Sequence, residues 1–248
     1  MAAARPRFNL NLFSNVAAAD PSRALAGHAA RAVLTALSAE ASHDVVLRLF
    51  CDPAPNPEAF DAWTEAAIAP LAPREVEVHR SQGLADGYAR AIELSESPYA
   101  LMLEHDWMLR PRHLRHALAD LLAGMALAKI RHLRFNKRWN RAVGYDHFME
   151  PDPRCPFPAC QVSGRSNNPH ILDIVHARAR VLPFIDRALR KAEGLEGRLE
   201  LFAGGGHVYG ALGHPATAGH LDGRDRRWRD ALRRRRFLAR AAAPAAPG

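Results

Sequence analysis

The sequence predicts an α/β fold: a mostly parallel central sheet with helices on both faces and a Rossmann-like N-terminal half. Three observations carry this. Over the first 105 residues, strand-like apolar runs alternate with amphipathic helical stretches in the order β-α-β-α-β-α-β. One run, "YALMLE" at 99–104, stays apolar until Glu104, as a central strand covered on both faces does. With 248 residues, 48% hydrophobic and 24% charged, the chain can bury one large core, and no run approaches the roughly 20 apolar residues that span a bilayer.

In order, "RFNLNLFSN" reads as a first strand, with Phe8, Leu10 and Leu12 alternating against polar residues and Ser14-Asn15 ending it. Asp20 and Pro21 suit the N-cap and first position of a helix whose stripe is Leu25, Ala29, Ala32, Val33 and Leu37. "DVVLRLFCD" is a second strand, "PAPNP" a turn, "EAFDAWTEAAIAPLA" a shorter helix and "REVEVHR" a third strand. "GLADGYARAIELS" is a helix entered through a glycine, and "YALMLE" is the fourth strand. Beyond it, "RPRHLRHALADLLAGMALA" reads as helix and "KIRHLRFNK" as strand. From Trp139 to about Pro169, Pro, Gly and Asn are dense enough to predict a long loop. "PHILDIVHARARVLPFI" resumes regular structure, "GLEGRLE" sits in or beside a helix, and "LFAGGGHVYGALGHPATAGHLDGR" alternates strands with turns. "AAAPAAPG" is low-complexity and expected to be disordered. One domain over 1–224, in halves 1–110 and 111–224, is thus expected ahead of a basic tail, 225–248.

The net charge is +8 and unevenly spread: "GRDRRWRDALRRRRFLARA" holds much of it, and the first hundred residues hold none of the excess. Three cysteines give no disulfide framework. Cys155 and Cys160 with His170 and His176 have loose spacing and flanking prolines, which argues against structural zinc. "MAAARPRFNLNLF" lacks the apolar core of a signal peptide, so a cytoplasmic setting is expected.

In open α/β sheets ligands bind beyond the carboxyl ends of the strands. That rule gathers Ser14, Asn15, Asp52, Arg80 and the tip Glu104-His105-Asp106 along one rim. Two carboxylates two positions apart suit a hard cation, Mg²⁺ or Mn²⁺, that also holds a diphosphate.

The order of elements, "GLADGYARAIELSES" leading into "PYALMLEHDW", and the later "HLDGR" resemble a glycosyltransferase of the A-type fold, similar to family 2 enzymes that use nucleotide-diphospho-sugars. The resemblance runs from Phe8 to Arg224. It implies that Glu104-His105-Asp106 replaces the family's Asp-x-Asp, with Glu in place of the first Asp, and that Asp106, Glu104 and His220 ligate Mn²⁺ or Mg²⁺. It further implies that Asp52 faces the base or ribose, that Ser14, Asn15 and His105 line the donor pocket, and that Arg80 and Asp86 flank it. An inverting enzyme of this kind needs a carboxylate base after the acceptor loop. Glu193, Glu196 and Glu200 share a helical face, and Glu196 best resembles the family's base. The expected reaction moves sugar from a nucleotide-diphospho-sugar to a glycan or lipid-linked acceptor, in bacterial surface polysaccharide or lipopolysaccharide assembly at the inner face of the plasma membrane.

Other readings compete. Asn167, Asn168 and His170 suit an acceptor sugar, but "SNNPHI" is first of all turn chemistry. Trp139 and Tyr145 suit sugar stacking, although loop aromatics more often pack under their own loop. "AGGGH" reads as a flexible turn rather than a phosphate cradle, and no Gly-rich activation loop supports a nucleotidyltransferase. In the tail, Trp228, Ala231, Leu232 and Leu238 form a stripe among arginines that suits either an anionic membrane or docking on the domain. The Arg-rich tail also raises nucleic-acid binding, disfavoured because no nucleic-acid motif accompanies it. A noncatalytic glycan-binding module on the same fold is the remaining alternative.

Overall fold

A computed structural model of the chain describes residues 4–14, 24–54, 56–163, 166–188 and 206–220. These form β1 (Arg7–Ser14), α1 (Ala26–Ala36), α2 (Ala39–Ser42), β2 (Asp44–Cys51), α3 (Pro57–Ile68), β3 (Val76–Arg80), α4 (Leu84–Leu94), β4 (Tyr99–Glu104) and β5 (Trp107–Leu109). There follow α5 (Leu118–Ala128), β6 (His132–Arg134), β7 (Met149–Pro151), β8 (Ala159–Val162), β9 (His170–Asp173), α6 (Ile174–Arg180), β10 (Gly206–Tyr209) and β11 (Ala218–His220). The main sheet has the order β3-β2-β1-β4-β9-β6-β10-β8-β7, and β5 pairs with β11 in a small second sheet. Among the described strands of the main sheet, β8 and β9 alone run against the rest, so it is mixed and mostly parallel, as predicted.

Side-chain alternation puts a separate core on each face. Leu10, Leu12, Leu47, Leu49, Leu101 and Leu103 pack under α1, α3 and α5. Phe13, Phe50, Ala100 and Met102 pack under α4 and α6. Because both faces are covered, the polar alternates of β1 are buried too, and they must find partners inside. Asn9 Oδ1 accepts from Ser97 N (3.0 Å) and Ser97 Oγ (2.7 Å), and Asn11 Nδ2 donates to Ser95 Oγ (3.0 Å). Where α1 crosses α3, a Cβ on Gly27 would lie 2.3 Å from the Ala67 carbonyl oxygen, so the close approach requires glycine.

Several expectations are corrected. The described part of α1 begins at Ala26, capped by Leu25 without a side-chain bond; Asp20 and Pro21 lie outside the described residues. The stretch 110–128 is not one helix, and α5 begins only at Leu118. Before it, Arg115 N donates to the Tyr209 hydroxyl (3.0 Å) and His113 Nδ1 lies 2.6 Å from the Ala216 carbonyl. These long-range bonds draw 113–117 out of the helical path, and Asp120 Oδ2 accepts from Ala117 N (3.2 Å) at the new start. The expected loop over 139–169 contains β7 and β8, an antiparallel pair that extends the sheet beyond β10. Pro151 is tolerated there because β7 is an edge strand. The stretch "GLEGRLE" and the tail lie outside the described residues. No helix among the described residues is long and apolar enough to cross a membrane.

Candidate functional site

Chain order turns back between β1 and β4: β1, β2 and β3 progress to one side, and β4 returns to the other. Such a switch opens a crevice at the carboxyl ends of the strands. There the backbone ladder continues past the strands. Ser81 N donates to Cys51 O (2.8 Å), Asp52 N to Ser14 O (3.0 Å) and His105 N to Phe13 O (2.8 Å). The predicted residues Ser14, Asp52, Arg80, Glu104, His105 and Asp106 are thereby brought to one rim, whereas Asn15 lies outside the described residues.

Ser14 is buried, and its Oγ accepts from Trp63 Nε1 (2.9 Å), a bond from α3 that fixes the hydroxyl. Burial pushes the Asp52 carboxyl up to about 6, opposed by a hydrogen bond from Ser81. The Arg80 guanidinium lies 4.1 Å over the Phe60 ring, which tilts it toward α3. Asp86 is buried; its Oδ2 accepts from Gln82 N (3.0 Å) and its Oδ1 lies 3.4 Å from Arg187 Nη1. It clamps the loop that enters α4, where a carboxylate also suits the positive end of the helix. Trp63 and Ser81 were not singled out from sequence. Trp63 sits in a helical stripe that reads as core, and the only signal for Ser81 is that it directly follows a strand.

At the tip, Glu104 ends β4, His105 and Asp106 make the turn, and Trp107 opens β5. Antiparallel pairing of β11 sets His220 opposite Trp107, next in sequence to Asp106. The backbone of His220 is thus drawn to the tip. Its side chain, together with Glu193, Glu196 and Glu200, lies outside the described residues. Among the described residues no three His, Cys, Asp or Glu side chains converge on a metal position, so the loose Cys/His zinc grouping is not formed there. Two carboxylates on one tip still fit a hard cation of the Mg²⁺ type, which takes one or two protein carboxylates and completes its shell with substrate phosphates and water.

No protein-family model and no curated protein match the sequence. Solved structures match its shape. S. aureus TarS 1–349 in complex with UDP aligns over 98% of this chain and 67% of its own, with 12% identity and a TM-score of 0.51. The same protein with UDP-GlcNAc aligns over 86% of this chain and 58% of its own, with 12% identity and a TM-score of 0.50. The fold is that of the A-type glycosyltransferases.

In this glycosyltransferase fold the far side of the crevice is carried by β9 and β6. Met102 and Arg134 both pair with His170, and Phe135 N donates to Pro169 O (2.8 Å), so Asn136 and Asn168 follow at the same rim. Asn168 Oδ1 accepts from Ser166 Oγ (2.8 Å), the turn chemistry expected, while neither polar atom of the Asn167 amide finds a partner among the described residues. A buried polar layer underlies them. The rings of His132 and His170 lie 4.5 Å apart, Tyr88 stacks 5.9 Å from His170, and Arg134 pairs with Asp146 at 2.5 Å. Burial holds both histidines neutral, with His170 lowered to about 4 and His132 well below the usual range.

Proposed function

We propose that the chain is a metal-dependent, inverting glycosyltransferase that moves a sugar from a nucleotide-diphospho-sugar to a glycan or lipid-linked acceptor in bacterial surface polysaccharide or lipopolysaccharide assembly. The observation that carries this reading is the Glu104-His105-Asp106 tip at the end of a central strand, beside the point where strand order reverses. Asp52 accepts hydrogen bonds from the nucleoside, and the Trp63-oriented Ser14 closes the same pocket. Asp106 is the principal ligand for Mn²⁺ or Mg²⁺, with Glu104 and His220 completing the protein's share. When bound, the cation neutralises charge developing on the diphosphate leaving group. Glu196 takes the proton of the acceptor hydroxyl, and the reaction belongs at the cytoplasmic face of the plasma membrane.

UDP is the first nucleotide to test, because the matching TarS structures hold UDP and UDP-GlcNAc. Thermal melting with UDP, GDP, CDP and dTDP, each with and without Mn²⁺, is expected to show metal-dependent stabilisation by one of them. At about 100 times its Kd a ligand adds roughly 2.7 kcal/mol, or several degrees for a chain of this size. Asp106→Asn is expected to abolish the shift while leaving the unliganded Tm near that of the wild type. No shift with any nucleotide in the wild type would defeat the reading.

A further inference from the structure

The loop after β6 and the turn after β10 are locked into one rigid unit by Asn140. Its N–H donates to His214 O (2.9 Å), and its carbonyl accepts from Gly213 N (2.8 Å). Its Nδ2 donates to Tyr209 O and Gly210 O (3.0 Å each), and its Oδ1 accepts from Asn136 Nδ2 (3.2 Å). Gly210 and Gly213, at φ +98° and +76°, make the tight turn that lifts Leu212 outward. On this pinned platform Trp139, Val143 and Leu212 are 55%, 50% and 51% exposed. Their exposure therefore belongs to an ordered surface rather than to slack chain.

Within segments 137–145 and 210–217 the charge has one sign. Lys137, Arg138 and Arg141 are exposed, Lys137 with its ammonium 5.7 Å over the Trp107 ring, and neither 137–145 nor 210–217 contains a carboxylate. Asp146, the next acid along the chain, is buried against Arg134. Arg141 stands 5.7 Å over the Trp139 ring, so cation and indole point into the same region.

We infer that this face is a docking surface for an anionic lipid bilayer, separate from the basic segment 225–248. Three protruding apolar side chains, one of them a Trp with the Arg141 cation over its ring, match the boundary between acyl chains and acidic headgroups. A soluble acidic saccharide would satisfy the cations and stack on Trp139, but it would leave Val143 and Leu212 in water. That difference favours lipid.

The test uses the full chain carrying Trp228→Phe. Trp63 and Trp107 are 2% and 4% exposed, so Trp139 becomes the indole that vesicles can reach. Phosphatidylcholine vesicles with brominated acyl chains, with and without phosphatidylglycerol, are added, and tryptophan fluorescence and co-sedimentation are read. Quenching is expected with phosphatidylglycerol and expected to vanish in Trp139→Phe. Arg141→Gln should weaken partitioning about fivefold, the equivalent of roughly 1 kcal/mol per cation, and Leu212→Ser should weaken it with no change in salt dependence. Co-sedimentation without quenching would overturn the inference and assign the binding to the tail. Quenching unaltered by Trp139→Phe would overturn it too, as would binding of polygalacturonate in the absence of vesicle binding, which would make the face an acidic-glycan surface.

Discussion

Asp52 is an acid that the fold holds under strain of its own charge. Its folded pKa is raised from 3.8 to about 6, so the folded state binds the proton more tightly than the unfolded chain does. The sign follows: this residue costs stability as pH rises from about 4 to about 6, and the cost stays constant above that. Asp52→Asn is expected to match the wild-type Tm below about pH 4, to gain on it through the window and to keep the gain at pH 8. A melting series over pH checks this, and a difference that is flat with pH would mean that burial does not govern Asp52. The rim acids were legible in the sequence because each apolar run stops at a polar residue, and a sheet puts those stops side by side. The hydrogen bond from Trp63 to Ser14 was not legible, since it joins residues 49 apart across two elements and leaves no local pattern.

Between elements, tolerance is set by how closely backbones approach. Gly27→Ala drives a methyl group against the Ala67 carbonyl of α3, where the contact is backbone and cannot rotate away. A loss of about 1–3 kcal/mol is expected, as for other overpacked contacts, readable as a lower urea midpoint. Loop and sheet meet at the buried Arg134–Asp146 pair. Arg134→Met should cost about 3–5 kcal/mol by stranding a buried carboxylate, and adding Asp146→Leu should recover much of it. A double variant no better than the single would show that Asp146 is not what Arg134 neutralises. The long elements, β1 to β4 with α3 and α4, declare themselves by periodicity or an unbroken apolar run over five or more residues. β5, β7 and β8 span three or four residues, too few for a period, and they exist because neighbouring strands offer free edges. The failure at 110–117 has another cause: good helix formers were outbid by bonds to Tyr209 and Ala216, which only the folded chain brings near.

For the molecule as a whole, acid sensitivity is a contest between opposite terms. His132 and His170 have depressed folded pKa values, so their contribution is fully present above pH 6.5 and is lost as pH falls below it, for His170 toward about 4. Asp52 acts the other way in much the same window. His43 and His207, buried as well, are lowered in the same direction, so the buried bases outnumber Asp52, net stability is expected to fall below pH 6.5, and His132→Leu should lessen the decline in a urea-midpoint profile. A wild-type profile that is level between pH 4 and 6.5 would argue that water reaches the histidines.

The three backbone bonds that carry the ladder past the strand ends give the rim another property. Neighbouring strands lie about 4.8 Å apart, so Ser81, Asp52, Ser14 and His105 stand like graduations on a ruler whose divisions belong to the peptide chain. Replacing a side chain changes what is written at a graduation and leaves its position alone. Such a scale can be relabelled one residue at a time while the interval it measures stays constant.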